Sequence, residues 1–102
     1  MPIAQLTVVP LGTTSTSLSA TVAKVQQAIC DTGIKYQLTP MCTILEGDLG
    51  DVMAAVMAAH EAAFQAGHAR VSTTLVLDDR RDKETSMEQK VEAVEEKLAA
   101  DD

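Results

Sequence analysis

The stretch that decides the fold lies near the middle of the chain, where residues 34–47 have the sequence IKYQLTPMCTILEG. Apolar and polar side chains alternate as far as Leu38, which is the pattern of a strand. Pro40 interrupts the pattern because proline has no N–H for a strand ladder. The extended pattern resumes over residues 42–46, so the sequence predicts a tight hairpin that turns at Pro40 and Met41.

The segments on either side of this hairpin complete an alternation of strands and helices. Alternating apolar side chains predict strands, and apolar side chains that recur every three or four residues predict helices. Glycine ends many helices because it adopts the left-handed conformation readily. The predicted elements are a strand over residues 3–9, a helix from about Leu18 to Gly33, the two hairpin strands, a helix between Asp48 and Gly67, a strand over 71–77 and a third helix over 84–100.

The first six of these elements form the split βαβ arrangement called ferredoxin-like. We therefore predict an α+β fold, a ferredoxin-like βαββαβ unit with a four-stranded antiparallel sheet and an additional C-terminal helix. The length suits one domain over residues 1–102. Thr85 and Glu88 have the spacing of a capping box for the third helix. On the second helix, the predicted apolar side consists of Leu49, Val52, Met53, Val56, Met57, Ala63 and Phe64.

The composition excludes several classes of function. The net charge of -7 and the aromatic content of 2% argue against a nucleic-acid surface, which needs clustered bases and stacking rings. Residues 78–102 carry ten acids and five bases, which is typical of a solvated helix and loop. No apolar run approaches a membrane span, so a cytoplasmic protein is expected. Cys30 and Cys42 lack the spacing of a zinc or redox motif and are expected to be free thiols.

One face of the predicted sheet is polar but almost uncharged. The face opposite the helices would carry small polar side chains where a solvent-facing sheet usually carries lysine and glutamate. This composition favours contact with another subunit, or a polar ligand, over exposure to solvent. The side chains assigned to this face are Gln5, Thr7, Gln37, Thr39, Thr43, Ser72 and Thr74.

Several residues are candidates for binding chemistry. The hydroxyl run over residues 13–17 precedes a helix, where free backbone N–H groups and hydroxyls hold an anion or a polar heterocycle, and Ser17 or Ser19 can cap that helix. A carboxylate such as Glu46, at a strand end, binds a cation or an amino-heterocycle, or simply lies at the surface. His60 on the second helix is more typical of a buried, hydrogen-bonded histidine than of a catalytic base.

Pro2 supports an enzyme hypothesis. Removal of Met1 would leave an N-terminal proline amine ahead of a strand, and the start MPIAQL resembles tautomerases that use such a proline as a base. Those enzymes also need cationic residues near the substrate carboxylates, and the first arginine of this chain is Arg70.

Motifs spread over nearly the whole chain resemble one family. They are residues 10–15 (PLGTTS), 36–47 (YQLTPMCTILEG), 60–67 (HEAAFQAG), 78–81 (DDRR) and 87–91 (MEQKV). Together they are similar to the small thiamine-binding protein family related to YkoF. Cys42 is a departure, because it stands where the family's Pro-Met-Gly-Thr form has glycine, and it is expected to alter the hairpin or crowd a nearby pocket.

The resemblance implies a ferredoxin-like subunit that dimerises through its sheet, often as a dimer of dimers. It also implies binding of thiamine or its hydroxymethylpyrimidine moiety without catalysis, and no resident cofactor or metal. The alternatives are an oligomeric interaction or regulatory module without a small ligand, and a Pro2-dependent tautomerase. The residues carried over by motif position are Thr13, Thr14 and Ser15 as loop contacts, Ser19 as a helix-start contact, and Thr43 and Glu46 as strand contacts.

Overall fold

The computed structural model of the protein describes residues 1–12 and 18–100. Four strands form one antiparallel sheet in the order β2-β3-β1-β4. This confirms the predicted α+β, ferredoxin-like arrangement with an added C-terminal helix. The elements are β1 (Ile3–Pro10), α1 (Ser19–Asp31), β2 (Lys35–Leu38), β3 (Thr43–Glu46), α2 (Leu49–Gln65), β4 (Val71–Asp78) and α3 (Met87–Ala100).

The core lies between one face of the sheet and the helices α1 and α2. Leu6 of the central strand β1 pairs with Thr43 on one side and with Leu75 on the other, so these side chains share the helix-facing side. The largest fully buried side chains are all aliphatic: Leu6, Ile29, Leu45 and Val52. The core is therefore built from aliphatic and alanine side chains, as the scarcity of aromatic residues requires.

The start of α1 differs from the expected one. Its N-cap residue is Leu18, and no side chain caps the first turn. Ser19 is the first residue inside the helix and is exposed, so the expectation that it caps the helix is wrong. Ser17, the other candidate cap, lies outside the described residues together with the rest of the 13–17 run. At the other end, Gly33 has a φ of +78°, as expected just beyond a helix.

The buried side of α2 is not the side that carries its largest apolar residues. Val52 and Val56 are buried as expected, but Met53, Met57 and Phe64 are exposed. The space against the sheet is filled by alanines, whose small side chains let the helix approach closely. The predicted apolar side is therefore wrong in part, because large residues were given more weight than alanines. The alanines that pack inward are Ala55, Ala59, Ala62 and Ala63.

The strand register corrects the predicted composition of the open face of the sheet. Gln5 pairs with Ile44 and with Val76, and Ile44 pairs with Gln37, so apolar and amide side chains alternate across that face. Thr43, assigned to this face from its polarity, instead points toward the helices and is 4% exposed. Alternation along β3 then places Glu46 on the open face.

The C-terminal helix α3 begins at Met87, three residues later than the predicted start of 84. Its capping box uses Ser86 and Gln89, not Thr85 and Glu88. The Ser86 hydroxyl accepts the Gln89 N–H at 3.1 Å, and the Gln89 Oε1 accepts the Ser86 N–H at 2.9 Å. Both pairs have the required spacing, but only Ser86 and Gln89 form the reciprocal bonds, and the Glu88 carboxylate is instead paired with Lys35 of β2.

No residue of α3 is buried against the rest of the chain. Its apolar stripe is instead more than half exposed, with Val91 at 57%, Val94 at 59% and Leu98 at 63%. None of the helices in the described part of the chain is long and apolar enough to cross a membrane.

Candidate functional site

A cavity of about 130 Å³ lies between α1, the strand β1 and the hairpin that joins β2 to β3. Its walls are mainly aliphatic and include Val25, Ile29 and Leu38, with Met41 at the hairpin turn. An apolar cavity of about 150 Å³ is large enough to bind benzene. The described walls therefore enclose space for one six-membered ring.

Polar side chains lie on the same walls at a few fixed positions. The Gln26 Nε2 of α1 donates to the Thr43 Oγ1 of β3 at 2.7 Å. The Thr21 hydroxyl is hydrogen-bonded to His68 Nε2 at 2.7 Å, which ties α1 to the loop that follows α2. Apolar walls with a few oriented polar groups are typical of small-molecule sites.

The hairpin turn contributes a hydroxyl and a thiol to the cavity. The Thr39 Oγ1 donates to the Cys42 carbonyl at 2.8 Å and accepts the Cys42 N–H at 3.1 Å. These bonds close the turn around Pro40 and hold the Cys42 side chain on the cavity wall. Cys42 thus lies where a residue larger than glycine reduces the space available to a ligand. Both cysteines, Cys30 and Cys42, are free thiols.

One polar atom on these walls has no hydrogen-bond partner. The Gln26 Oε1 is buried, and no donor from the described residues reaches it. Because a buried acceptor without a partner is costly, it marks a position where a bound molecule is expected to supply a donor.

The structure brings together only some of the site residues predicted from the sequence. Thr43 lines the cavity, whereas Ser19 is exposed at the start of α1 and is not among the lining residues. Thr13, Thr14 and Ser15 lie outside the described residues. They follow Gly12 directly in a connection between β1 and α1, two elements that form walls of the cavity.

Glu46 is separated from this cavity because it lies on the opposite face of the sheet. Its carboxylate, 7% exposed, accepts the Met87 N–H at 2.9 Å and forms an ion pair with Lys35 at 2.8 Å. Lys35 also pairs with Glu88 at 2.8 Å. The hydrogen bonds to Glu46 and Glu88 raise the pKa of Lys35, and the bond from Lys35 lowers the pKa of Glu88. Glu46 therefore anchors the first turn of α3 to the sheet.

A second, more polar cavity of about 320 Å³ lies at the other end of the molecule. Pro2 lines it, and the fold brings Arg80 and Arg81 there as well, which the position of Arg70 in the sequence did not suggest. Each of these guanidinium groups is already paired with a nearby carboxylate.

The pairing in the DDRR loop is local. Arg81 bonds to Asp79 at 2.8 Å and lowers the pKa of that carboxyl, while Arg80 lowers the pKa of Asp82 to about 2. The charges of the arginines are thus largely matched within the loop, which leaves little net attraction for a substrate carboxylate in the second cavity.

The two histidines have structural partners. The His60 Nδ1 is hydrogen-bonded to the Thr73 Oγ1 at 2.7 Å, and its ring meets Phe64 edge-on at 5.2 Å between centroids. This agrees with the interpretation of His60 as a hydrogen-bonded structural residue. Within residues 1–12 and 18–100, no group of three or more His, Cys, Asp and Glu side chains is placed to hold a metal ion.

The sequence reasoning missed Gln26, Thr21 and His68. A signal existed for Gln26, because it follows Val22 by four residues and therefore lies on the same side of α1. Thr21 has the same kind of signal, because it precedes Val25 by four residues. Its bond to His68 had none, since 47 positions separate the two residues and only the fold brings them together.

Comparisons with known proteins agree with this fold. The sequence model of a family described as "Thiamine-binding protein" matches residues 4–95. The UPF0045 protein YqgV of Bacillus subtilis is 49% identical over 102 residues, covering 96% of this chain and 98% of its own. A UPF0045 protein of Methanothermobacter thermautotrophicus is 52% identical over 96 residues, covering 93% and 97%.

A solved structure has the same architecture. The hypothetical protein MJ1052 of Methanocaldococcus jannaschii superposes with a TM-score of 0.85 at 33% identity, and the match covers 93% of this chain and 96% of that one.

Proposed function

This chain belongs to the thiamine-binding protein family, and we propose that it binds thiamine or its hydroxymethylpyrimidine moiety without catalysing a reaction. The observation that carries the proposal is the cavity between α1 and the β2–β3 hairpin, which has the size of one aromatic ring. The pyrimidine ring occupies this cavity, and the rest of thiamine extends beyond the described walls.

The polar groups on the walls suit an aminopyrimidine. Such a ring carries hydrogen-bond acceptors in the ring and a donor on its amino group. The hydroxyls of Thr21 and Thr43 and the amide of Gln26 supply complementary groups at fixed positions. No aromatic residue lines the described part of the cavity, so the ring is held by aliphatic contacts and hydrogen bonds without stacking.

The residues carried over by motif position have different roles in this proposal. Thr43 contacts the pyrimidine from β3, and the motif resemblance adds Thr13, Thr14 and Ser15 as further ligand contacts. Ser19 would contact only the part of the ligand that extends beyond the described walls. Glu46 anchors α3 and is not a ligand contact in this proposal, because it lies on the other face of the sheet.

Isothermal titration calorimetry with thiamine and with hydroxymethylpyrimidine tests the proposal. We expect both ligands to release heat on binding and to raise the melting temperature, since they bind the folded state. The variant Cys42→Leu fills the cavity and should abolish binding. Its matched control, Cys30→Leu, alters an exposed thiol and should bind normally. Absence of heat and of a thermal shift at saturating ligand would overturn the proposal.

We also propose that the protein forms a homodimer, or a dimer of dimers, through the open sheet face and α3. The support is the apolar stripe of α3, where Val91, Val94 and Leu98 lack cover from the described part of their own chain. Ile44 and Val76 add apolar area to the open face of the sheet. Exposed apolar area of this kind is typical of an interface.

Light scattering tests the assembly. We expect a mass at least twice 10.8 kDa, and a decrease for Val94→Asp but not for Glu96→Gln on the polar side of the same helix. A single 10.8 kDa species at micromolar concentration would refute it. An assembly that binds neither thiamine nor the pyrimidine would instead support the alternative of an interaction module without a small ligand.

The Pro2 tautomerase is a weaker alternative, because the arginines beside Pro2 are already paired with carboxylates. Intact mass establishes whether Met1 is removed. Tautomerase turnover that is lost in Pro2→Ala would favour this alternative over non-catalytic binding.

A further inference from the structure

The amide of Gln26 occupies a distinctive position on the wall of the cavity. Its Nε2 donates to the Thr43 Oγ1 at 2.7 Å, which holds the amide head against the sheet. The same contact leaves Oε1 buried, with no donor from the described residues in reach. A carbonyl oxygen in this state needs a donor, because burial has removed the water that would otherwise satisfy it.

The other polar side chains around the cavity differ from Gln26. The Thr21 hydroxyl is bonded to His68, and the Thr39 hydroxyl is bonded to the backbone of Cys42. A bound molecule can add to these bonds, but the protein does not depend on it to satisfy them. Gln26 is thus the side chain whose hydrogen bonding a ligand would complete.

The uncharged character of the described walls further restricts the chemical class of the ligand. No Asp, Glu, Lys or Arg is found among the described residues that line the cavity. A charged group placed here would lose its hydration without gaining an ion pair. The portion of the ligand in the cavity is therefore neutral, which favours an amino group on a heteroaromatic ring over an ammonium group or a thiazolium.

From these observations we propose that Gln26 is the specificity-determining residue of the site, accepting a hydrogen bond through Oε1 from an amino group on a neutral six-membered ring. The proposal rests on the proposed function, since it concerns the same cavity. It adds that the protein distinguishes the amino-substituted ring from a ring of the same size and shape without that donor.

Calorimetry with two ligands tests this inference. One is hydroxymethylpyrimidine, and the other is its analogue in which a methyl group replaces the ring amino group at nearly the same volume. We expect the protein to bind the amino compound about tenfold more tightly, as one buried hydrogen bond allows. Gln26→Met should bind both compounds equally, whereas the control Gln27→Met, at the next and exposed position, should keep the preference.

The possible outcomes separate the two proposals. Equal affinity of the unaltered protein for both compounds, or a preference that persists in Gln26→Met, would overturn the role of Gln26 and leave the proposed function standing. Binding of neither compound would overturn the proposed function, and the inference with it. If Gln26→Met fails to fold by its melting curve, the double variant Gln26→Leu/Thr43→Val serves instead. It removes the same acceptor without leaving the Thr43 hydroxyl unpaired, so an amino preference that persists there would also refute the inference.

Discussion

Replacing Thr43 by valine removes the hydroxyl to which the Gln26 amide donates, while the side-chain volume hardly changes. Thr43 is 4% exposed. The amide NH₂ of Gln26 would then lose its hydrogen-bond partner, beside an Oε1 that is buried and already without one. A buried donor without a partner costs about 1–3 kcal/mol. The added methyl group returns about 0.8 kcal/mol. We therefore expect Thr43→Val to lower the free energy of unfolding by about 0.2–2.2 kcal/mol.

A double-mutant cycle separates this hydrogen bond from other effects of the substitution. Gln26→Leu alone leaves the Thr43 hydroxyl without its partner, but Gln26→Leu combined with Thr43→Val removes both polar groups. Replacing both partners of a buried hydrogen bond by apolar groups is nearly neutral. The double variant should therefore be more stable than the sum of the single changes predicts, by at least about 1 kcal/mol.

Urea denaturation followed by circular dichroism measures these free energies, with an unchanged m-value as the sign that the unfolded state is not altered. Gln27→Leu is the matched control for Gln26→Leu, because Gln27 is at the next, exposed position of α1. It should change stability by less than about 0.5 kcal/mol. If Gln26→Leu behaves like Gln27→Leu, or if the two single changes add, the Gln26–Thr43 hydrogen bond does not organise the cavity.

Three further predictions concern the core, the charged loop and α3. Leu45→Ala, at a position that is 0% exposed, should lower the free energy of unfolding in urea by about 2–5 kcal/mol, and a loss below 1 kcal/mol would contradict its place in the core. The Asp82 carboxyl should titrate near a pKa of about 2 by carbon NMR and return toward 3.8 in Arg80→Gln. Because that pKa is lowered in the folded state, the stabilisation by the pair is present above 3.8 and is lost as the pH falls through about 2; an unchanged midpoint in the variant would refute the pairing. Glu46→Ala removes the acceptor of the Met87 N–H, so hydrogen exchange at Met87 should accelerate, and unchanged exchange would show that Glu46 does not anchor α3.

Local sequence patterns predict the order of the elements because each depends on nearby residues. Alternation identifies β1 and β4, and the proline at position 40 marks the hairpin turn. The order of these elements then leaves few topologies, and the ferredoxin-like one is confirmed. Local patterns do not predict which face of the sheet a residue joins. Thr43 was assigned to the open face from its polarity, but the register with Leu6 places it among the core residues.

Local patterns likewise do not predict which side of a helix packs against the sheet. In α2 nearly every position is apolar or alanine, so periodicity does not single out one side. The close approach of the helix to the sheet selects alanines such as Ala55 and Ala59, and leaves Met53 and Met57 outside. Similarly, two overlapping pairs of residues fit the capping box of α3. The Glu46 carboxylate of β3 accepts the Met87 N–H, and this contact from a distant strand is not visible in the local pattern of either pair.

The candidate site was the least predictable part because its residues are distant in sequence. The resemblance of motifs placed Thr43 in the site and the structure places it on the cavity wall, but the same resemblance grouped it with Glu46, which lies on the other face. Gln26 was missed although it lies one helical turn after Val22. Its importance comes from an unsatisfied oxygen, and this requires the positions of all neighbouring atoms to be known.

The central claim is that the cavity between α1 and the β2–β3 hairpin is where this protein binds its ligand. A titration of the nitrogen-15-labelled protein with hydroxymethylpyrimidine, followed by amide NMR, tests it most directly. We predict that the largest shifts cluster at Thr21, Cys42 and Thr43 and at the side-chain NH₂ of Gln26. Shifts concentrated around Pro2 and Arg81 at the second cavity, or no shifts at saturating ligand, would contradict the claim.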